Sequence, residues 1–221
     1  ARNVVSATGS FQKPLIPTLV PDGLGLMQIH STHYRNPGQL PRGGVLVVGG
    51  GSSGTQIADE LNRAGRRTWL SLGPHDRPPR RYRGKDFAPT PGTEHVTIAV
   101  SGAYGGQNID FRRLAGEGLV LLGRTKTCVD GVLSLAEDLQ ANVTQGDRYL
   151  ERLLDECDDH VRSNGLDLPE DPEGRRVYPD PECLTNPVLR LDLKAEGIGT
   201  IIWATGFAFD YGWLDLDVLT P

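Results

Sequence analysis

Three glycines spaced as Gly49-x-Gly51-x-x-Gly54 are the residues on which chemistry could rest, and that chemistry is binding. A residue without Cβ leaves main-chain N–H groups bare, and N–H groups at the start of a helix attract phosphate oxygens. The spacing assigns each glycine a task. Gly49 permits a tight turn, Gly51 lets backbone approach a diphosphate, and Gly54 lets the next helix pack closely on the preceding strand. With 28 glycines in 221 residues the spacing alone is weak evidence, so the flanking sequence decides. Val45-Leu46-Val47-Val48 precedes it, an apolar run that reads as a strand buried on both faces. Ile57, Ala58, Leu61 and Ala64 follow at helical spacing. Strand, glycine turn and helix form the context that a dinucleotide fingerprint requires.

A site for NAD usually carries Asp or Glu about 20 residues on, at the end of the second strand, bonding the ribose 2′-hydroxyl. Here that strand reads Thr68-Trp69-Leu70-Ser71-Leu72, with no acid at its end. Instead, Arg77, Arg80, Arg81, Arg83 and Lys85 place five cations in nine residues. A guanidinium fork matches a phosphate dianion. Arg77, Arg80 and Arg81 are therefore the candidates for the 2′-phosphate, and the expected cofactor is NADP(H).

Composition narrows the alternatives. A net charge of −5 argues against a nucleic-acid surface as the main task, because the basic run is local. Cys128, Cys157 and Cys183 are far apart, so no redox dithiol of local spacing exists, and so sparse a count fits a reducing compartment. No apolar run reaches the length of a membrane span. The expected location is cytoplasmic, with neither membrane nor nucleic acid as partner. His30 and His33 lack Cys, Asp or Glu neighbours that could complete a metal site, so no metal is expected. No catalytic acid, base or nucleophile stands out.

The remaining elements frame the fingerprint. Arg2–Ala7 reads as a strand leading into Ala7-Thr8-Gly9, and Phe11 to Pro17 as a proline-bounded extended segment. Residues 87–110 read as loop, with a strand at His95–Val100. Leu119–Gly123 reads as another buried strand. Leu133–Val143 reads as a helix, and Thr144 opens a second helix in a capping-box-like pattern with Asp147. Leu150, Leu153, Leu154, Cys157 and Val161 line one face of that second helix. Asn164–Pro187 reads as a long surface loop. Thr200–Trp203 is the last strand, leading into Ala204-Thr205-Gly206. The expected fold is α/β: a Rossmann-like βαβ unit on a central parallel sheet.

Several short stretches together resemble the flavin-containing monooxygenase-like proteins, flavoproteins with two dinucleotide-binding domains. They are Ala7-Thr8-Gly9 with Phe11, Pro14 and Pro17; His30-Ser31-x-x-Tyr34; the glycine strand with Ser53 and Gln56; and Ala204-Thr205-Gly206 with Asp210. The resemblance implies an FAD domain interrupted by an NADPH domain, with Ala-Thr-Gly stretches at the two crossings. It divides the chain into an FAD-domain stub over 1–43, an NADP(H) domain over 44–205 with a long insertion at about 77–187, and a return segment over 206–221. Thr8, Gly9, Thr205 and Gly206 would lie near both cofactors. Ser52, Ser53 and Gln56 would lie beside the diphosphate. The family's first glycine fingerprint is not in this sequence, so the implied partner is the remaining FAD-domain segments of the same protein. The implied activity is oxygenation of a small organic substrate with NADPH and O₂. One departure is local: the family's Phe and Gly, six and four residues before the motif histidine, are Leu24 and Leu26 here. A non-oxygenating FAD/NAD(P)-dependent oxidoreductase and a free-standing NADP-binding module are the alternatives.

Overall fold

Val45, Leu46, Val47 and Val48 are all buried, as an apolar run without alternation requires. They form the middle strand of a five-stranded sheet in the computed structural model, which describes residues 3, 5, 7–87 and 98–214. In chain order the elements are β1 (Lys13–Pro14), β2 (Met27–His30), β3 (Gly44–Val48), α1 (Ser52–Arg63), β4 (Thr68–Ser71), β5 (Arg81–Tyr82), β6 (Lys85–Asp86), α2 (Phe111–Gly116), β7 (Val120–Leu122), β8 (Thr125–Val129), β9 (Val132–Leu135), α3 (Leu139–Ser163), α4 (Glu182–Thr185), β10 (Arg190–Asp192), β11 (Ile198–Trp203) and β12 (Phe207–Ala208).

The central sheet has the order β2-β11-β3-β4-β7, and each neighbouring pair is parallel. The expected α/β fold with a central parallel sheet is therefore present. Successive side chains of a strand point to opposite faces. Val45, Val47, Leu70 and Ile202 pack with Ile57, Ala58 and Leu61 of α1, Phe111 and Leu114 of α2, and Leu139 and Val143 of α3. Leu46, Trp69, Leu122, Ile201 and Trp203 face the other way, onto Leu133, Leu135 and Leu191. That second cover is the antiparallel sheet β10-β9-β8. Helices cover one face and a sheet covers the other. Each fully buried Leu or Val contributes on the order of 1.5–3 kcal/mol, so both layers are needed to keep β3 dry.

Two regions outside the fingerprint belong to this sheet. β2, within residues 1–43, pairs with β11. β7, within residues 77–187, pairs with β4.

The helix expected at Leu133–Val143 is corrected. Val132–Leu135 is strand β9, paired with β8 and β10, and the helix begins at Leu139. Asp130 and Gly131 have φ of 50° and 78°. Positive φ at both central residues is the geometry of a two-residue hairpin turn, which Asp-Gly favours. The second helix expected from Thr144 is also corrected, because α3 runs unbroken through it for 25 residues. Gly146 would weaken an exposed helix by about 1 kcal/mol. Here a Cβ at that position would lie 2.6 Å from His75 Nε2, so the glycine is what lets α3 pack over the turn after β4. The expected Leu150–Val161 stripe is present, with Leu154 buried and the others half-buried. The strand expected at Arg2–Ala7 falls partly outside the described residues and is absent from Asn3, Val5 and Ala7. That expected at His95–Val100 falls largely outside them. Ile98 alone makes an isolated bridge with Asp76.

Candidate functional site

The carboxyl ends of β3, β4 and β11 open into one cleft of about 960 Å³. Ligands of open parallel sheets bind at this edge, where the strand order reverses about the first strand. β3 holds that position here, between β4 and β11. Gly49 to Gly54, Gly73, Pro74, Ile98 and Ala204 to Phe207 line the cleft, with Ser10, Phe11 and Ser31 at its side.

The glycine turn is built as its spacing requires. Gly49 has a φ of 115°, and a Cβ there would overlap the Ala204 carbonyl. A Cβ on Gly54 would overlap the Gly49 carbonyl. These two contacts draw α1, the turn and the end of β11 together. The Gly49 N–H donates to the Ser71 carbonyl at 3.0 Å, and Ala204 N–H to the Val48 carbonyl at 2.8 Å. Gly51 precedes α1 with a φ of −72°, and no side chain caps the helix there. The first-turn N–H groups and the positive end of the helix dipole therefore face the cleft, which suits an anion. The cradle fits a dinucleotide diphosphate.

Of the residues expected around that diphosphate, Gly49, Gly51, Ser52, Ser53 and Gly54 line the cleft, and so do Thr205 and Gly206, expected near both cofactors. Ser52 Oγ donates to the Ile98 carbonyl at 2.8 Å, and Gln56 Nε2 to the Val100 carbonyl at 3.2 Å. Those two side chains tie the 98–100 segment over the start of α1. Thr8 and Gly9 stand next to the cleft without lining it. Gln12 Nε2 donates to Thr8 Oγ1 and to the Gly9 carbonyl. β1 pairs with β12, Leu15 N–H donates to the Gly206 carbonyl, and Thr205 Oγ1 donates to the Leu15 carbonyl, so the second Ala-Thr-Gly stretch is held against the segment that follows the first. Among the described residues that line it there is no arginine or lysine.

Arg77 is corrected to a structural role. Its side chain is 8% exposed. Nη1 donates to the Ile109 carbonyl and to Asp110 Oδ2, and Nη2 donates to Asp147 Oδ1. A guanidinium this far from water has to be paired, and its two carboxylates leave no place for a phosphate. Arg80 and Arg81 sit on the β5–β6 hairpin. Arg81 Nε lies 3.0 Å and Arg80 Nη1 3.7 Å from Asp86 Oδ1, and both backbone N–H groups donate to Asn108 Oδ1. Arg83 pairs with Asp158. The sequence shows a block of cations, but acids distant in the chain pair with Arg77 and Arg83, and nearby Asp86 pairs with Arg80 and Arg81. Hydrogen bonds from Arg175, Arg83 and Tyr82 outweigh burial and hold the Asp158 carboxyl below the usual range.

His30 was visible as a motif without an assigned task. It is fully buried. Nε2 lies 3.1 Å from the Gly206 carbonyl and Nδ1 3.1 Å from Thr32 Oγ1. Its ring meets Phe207 edge-on with centroids 5.0 Å apart. The histidine thus fixes the second Ala-Thr-Gly stretch against β2. Burial pushes its pKa down, against the opposing hydrogen bond to Gly206. Tyr34 of the same motif donates to Glu60 Oε2 on α1. Sequence reading missed Arg124, which lies across Gly73 at the cleft's edge. Its signal was available, since it closely follows the buried strand β7 as Gly73 follows β4.

The fold and cleft define an open parallel-sheet domain with a glycine-turn ligand edge. Known proteins match parts of the chain. An uncharacterized CzcO-like oxidoreductase of Geobacillus kaustophilus is 51% identical over 75 residues, 33% of this chain and 21% of that protein. An uncharacterized oxidoreductase CzcO of Bacillus subtilis is 49% identical over 71 residues, 32% of this chain and 20% of that protein. The flavin-containing monooxygenase iboF of Amanita muscaria is 35% identical over 80 residues, 32% of this chain and 14% of that protein. The chain thus spans only 14% to 21% of these relatives' length. No family profile matches the chain. A double mutant of a flavin monooxygenase from Stenotrophomonas maltophilia superposes with a TM-score of 0.45 at 17% identity, over 97% of this chain and 46% of that one. The chain therefore has homologues named as CzcO-type oxidoreductases and as a flavin-containing monooxygenase, which agrees with the resemblance carried by its motifs.

Proposed function

We propose that this chain is the NADP(H)-binding part of an FAD-dependent oxidoreductase, a flavin monooxygenase that uses NADPH and O₂ to oxygenate a small organic substrate. The observation that carries the reading is the convergence of the bare glycine turn, the uncapped start of α1 and Thr205–Gly206 in one cleft. Gly49 to Gly54 would hold the diphosphate, with Ser52 and Ser53 beside it. When bound, the nicotinamide supplies hydride to a flavin in enzymes of this kind. The work of this chain is to bind, orient and exclude water. The described residues of its cleft are glycines, hydroxyl side chains and apolar groups, with no histidine, cysteine or carboxylate among them. The β1–β12 ribbon supports a covering partner. Phe11, Phe209 and Trp213 on and beside it are 79%, 66% and 56% exposed, and apolar groups so grouped mark a contact surface. The remaining FAD-domain segments of the same protein are the proposed cover.

The test uses the full-length protein. It should be yellow and oxidise NADPH. Gly51→Ala keeps an allowed φ and adds a methyl group to a residue that lines the cleft. It should weaken NADPH about tenfold, as the loss of one or two main-chain contacts near 1 kcal/mol each implies. Unchanged affinity would remove the diphosphate from the glycine turn. A second reading, electron transfer without oxygenation, is favoured by Leu24 and Leu26, which stand where the family carries Phe and Gly. NADPH oxidation that yields only peroxide across a panel of soft nucleophiles and ketones would select it.

A further inference from the structure

We propose that Arg124, rather than the arginines at 77–81, distinguishes NADP(H) from NAD(H). This rests on the dinucleotide reading of the cleft and adds a specificity residue to it. Gly73 follows β4 and lines the cleft. A Cβ placed on Gly73 would meet the Arg124 side chain, Cδ at 3.4 Å and Cγ at 3.5 Å. The arginine stem therefore lies across Gly73, at the end of the second strand of the fingerprint. That end of the strand is where an adenosine ribose is read. An acid here would select the 2′-hydroxyl, but the strand ends in Ser71, whose Oγ donates to the Gly123 carbonyl at 2.9 Å. Among the described residues that line the cleft there is no charged side chain.

The anchor makes the arginine a held group. Asp138 accepts the Arg124 backbone N–H at 3.0 Å and Nε at 2.6 Å. It can come this close because Gly123 has no side chain, and a Cβ there would lie 2.7 Å from Asp138 Oδ1. Asp138 holds the Nε edge and leaves the terminal nitrogens unused. Among the described residues neither Nη of Arg124 has a hydrogen-bond partner, and the side chain is 61% exposed. Two parallel N–H donors on a fixed fork suit a phosphate monoester. Arg77, by contrast, is spent on Asp110 and Asp147.

The experiment is a set of equilibrium titrations of the full-length protein with NADPH, NADH and 2′,5′-ADP. The variants are Arg124→Gln, Arg124→Lys, and Arg80→Ala with Arg81→Ala. Losing one or two charge-assisted hydrogen bonds predicts that Arg124→Gln weakens NADPH and 2′,5′-ADP by about 10- to 100-fold. NADH should change by less than about twofold, within the small effect expected of an exposed charge. Arg124→Lys should recover part of the loss, because it keeps the charge without the fork. An equal effect of Arg124→Gln on NADPH and NADH, or no effect on either, overturns the assignment while the cleft reading stands. So does a result in which only the Arg80/Arg81 variant separates the two nucleotides. A wild-type protein that binds neither NADPH nor NADH overturns the assignment together with the reading it rests on.

Discussion

Replacing Arg77 by methionine separates a structural arginine from a ligand-binding one. Arg77→Met keeps most of the stem and removes the guanidinium. Lost with it are the hydrogen bond to the Ile109 carbonyl at 2.7 Å and the ion pairs with Asp110 at 2.9 Å and Asp147 at 2.6 Å. Removing one partner of a buried pair costs about 3–5 kcal/mol, because the remaining charge stays buried. Two contacts limit the damage. Asp147 keeps Arg112, and Asp110 Oδ1 still accepts the Arg113 N–H at 3.0 Å at the start of α2. The lower end of the range, about 3 kcal/mol, is therefore expected. With a urea dependence of about 2 kcal/mol/M, the unfolding midpoint should fall by about 1.5 M. Urea denaturation followed by circular dichroism reads this directly, and NADPH titration of the folded variant should differ from wild type by no more than about twofold. An unmoved midpoint together with a selective tenfold loss of NADPH over NADH would refute the argument and return Arg77 to the phosphate.

Other consequences can be checked with the same instruments. His30 and His75 both titrate below the ordinary histidine value because burial disfavours their charged forms. Their contribution to stability is complete above a pH of about 6.5 and is lost as pH falls toward the depressed folded values. The urea midpoint should therefore be level from about pH 8 to 7 and decline below about 6.5, before any carboxylate is protonated. A flat profile from about pH 7 to 5 would contradict it. Gly131→Val forces a β-branched residue into a φ of 78° and should cost roughly 1–2 kcal/mol, read as a lower melting midpoint with NADPH affinity unchanged.

Much of the domain was legible because its signals are local. Val45 to Val48 are apolar without alternation, which dictates a doubly buried strand, and Gly49 and Gly54 sit where only a missing Cβ allows the backbones to meet. The Asp130-Gly131 turn was equally local, but the apolar Leu133 to Val143 pattern fitted a helical period and concealed strand β9. α3 was split for a similar reason: Thr144 and Asp147 match a capping pattern, yet Asp147 is drawn away by Arg77 and Arg112.

The sequence by itself determined the glycine turn, the strand before it and the helix after it, since backbone sterics and hydrophobic period act between residues close in the chain. It also determined that no acid ends the second strand. Tertiary structure alone decided which arginines are available. Arg77 meets Asp147, 70 residues away, Arg83 meets Asp158, 75 residues away, and Arg124 is laid across Gly73 by a pairing of parallel strands. A charge's availability depends on the counter-charges and the burial it meets in three dimensions, and neither is written in its neighbours along the chain.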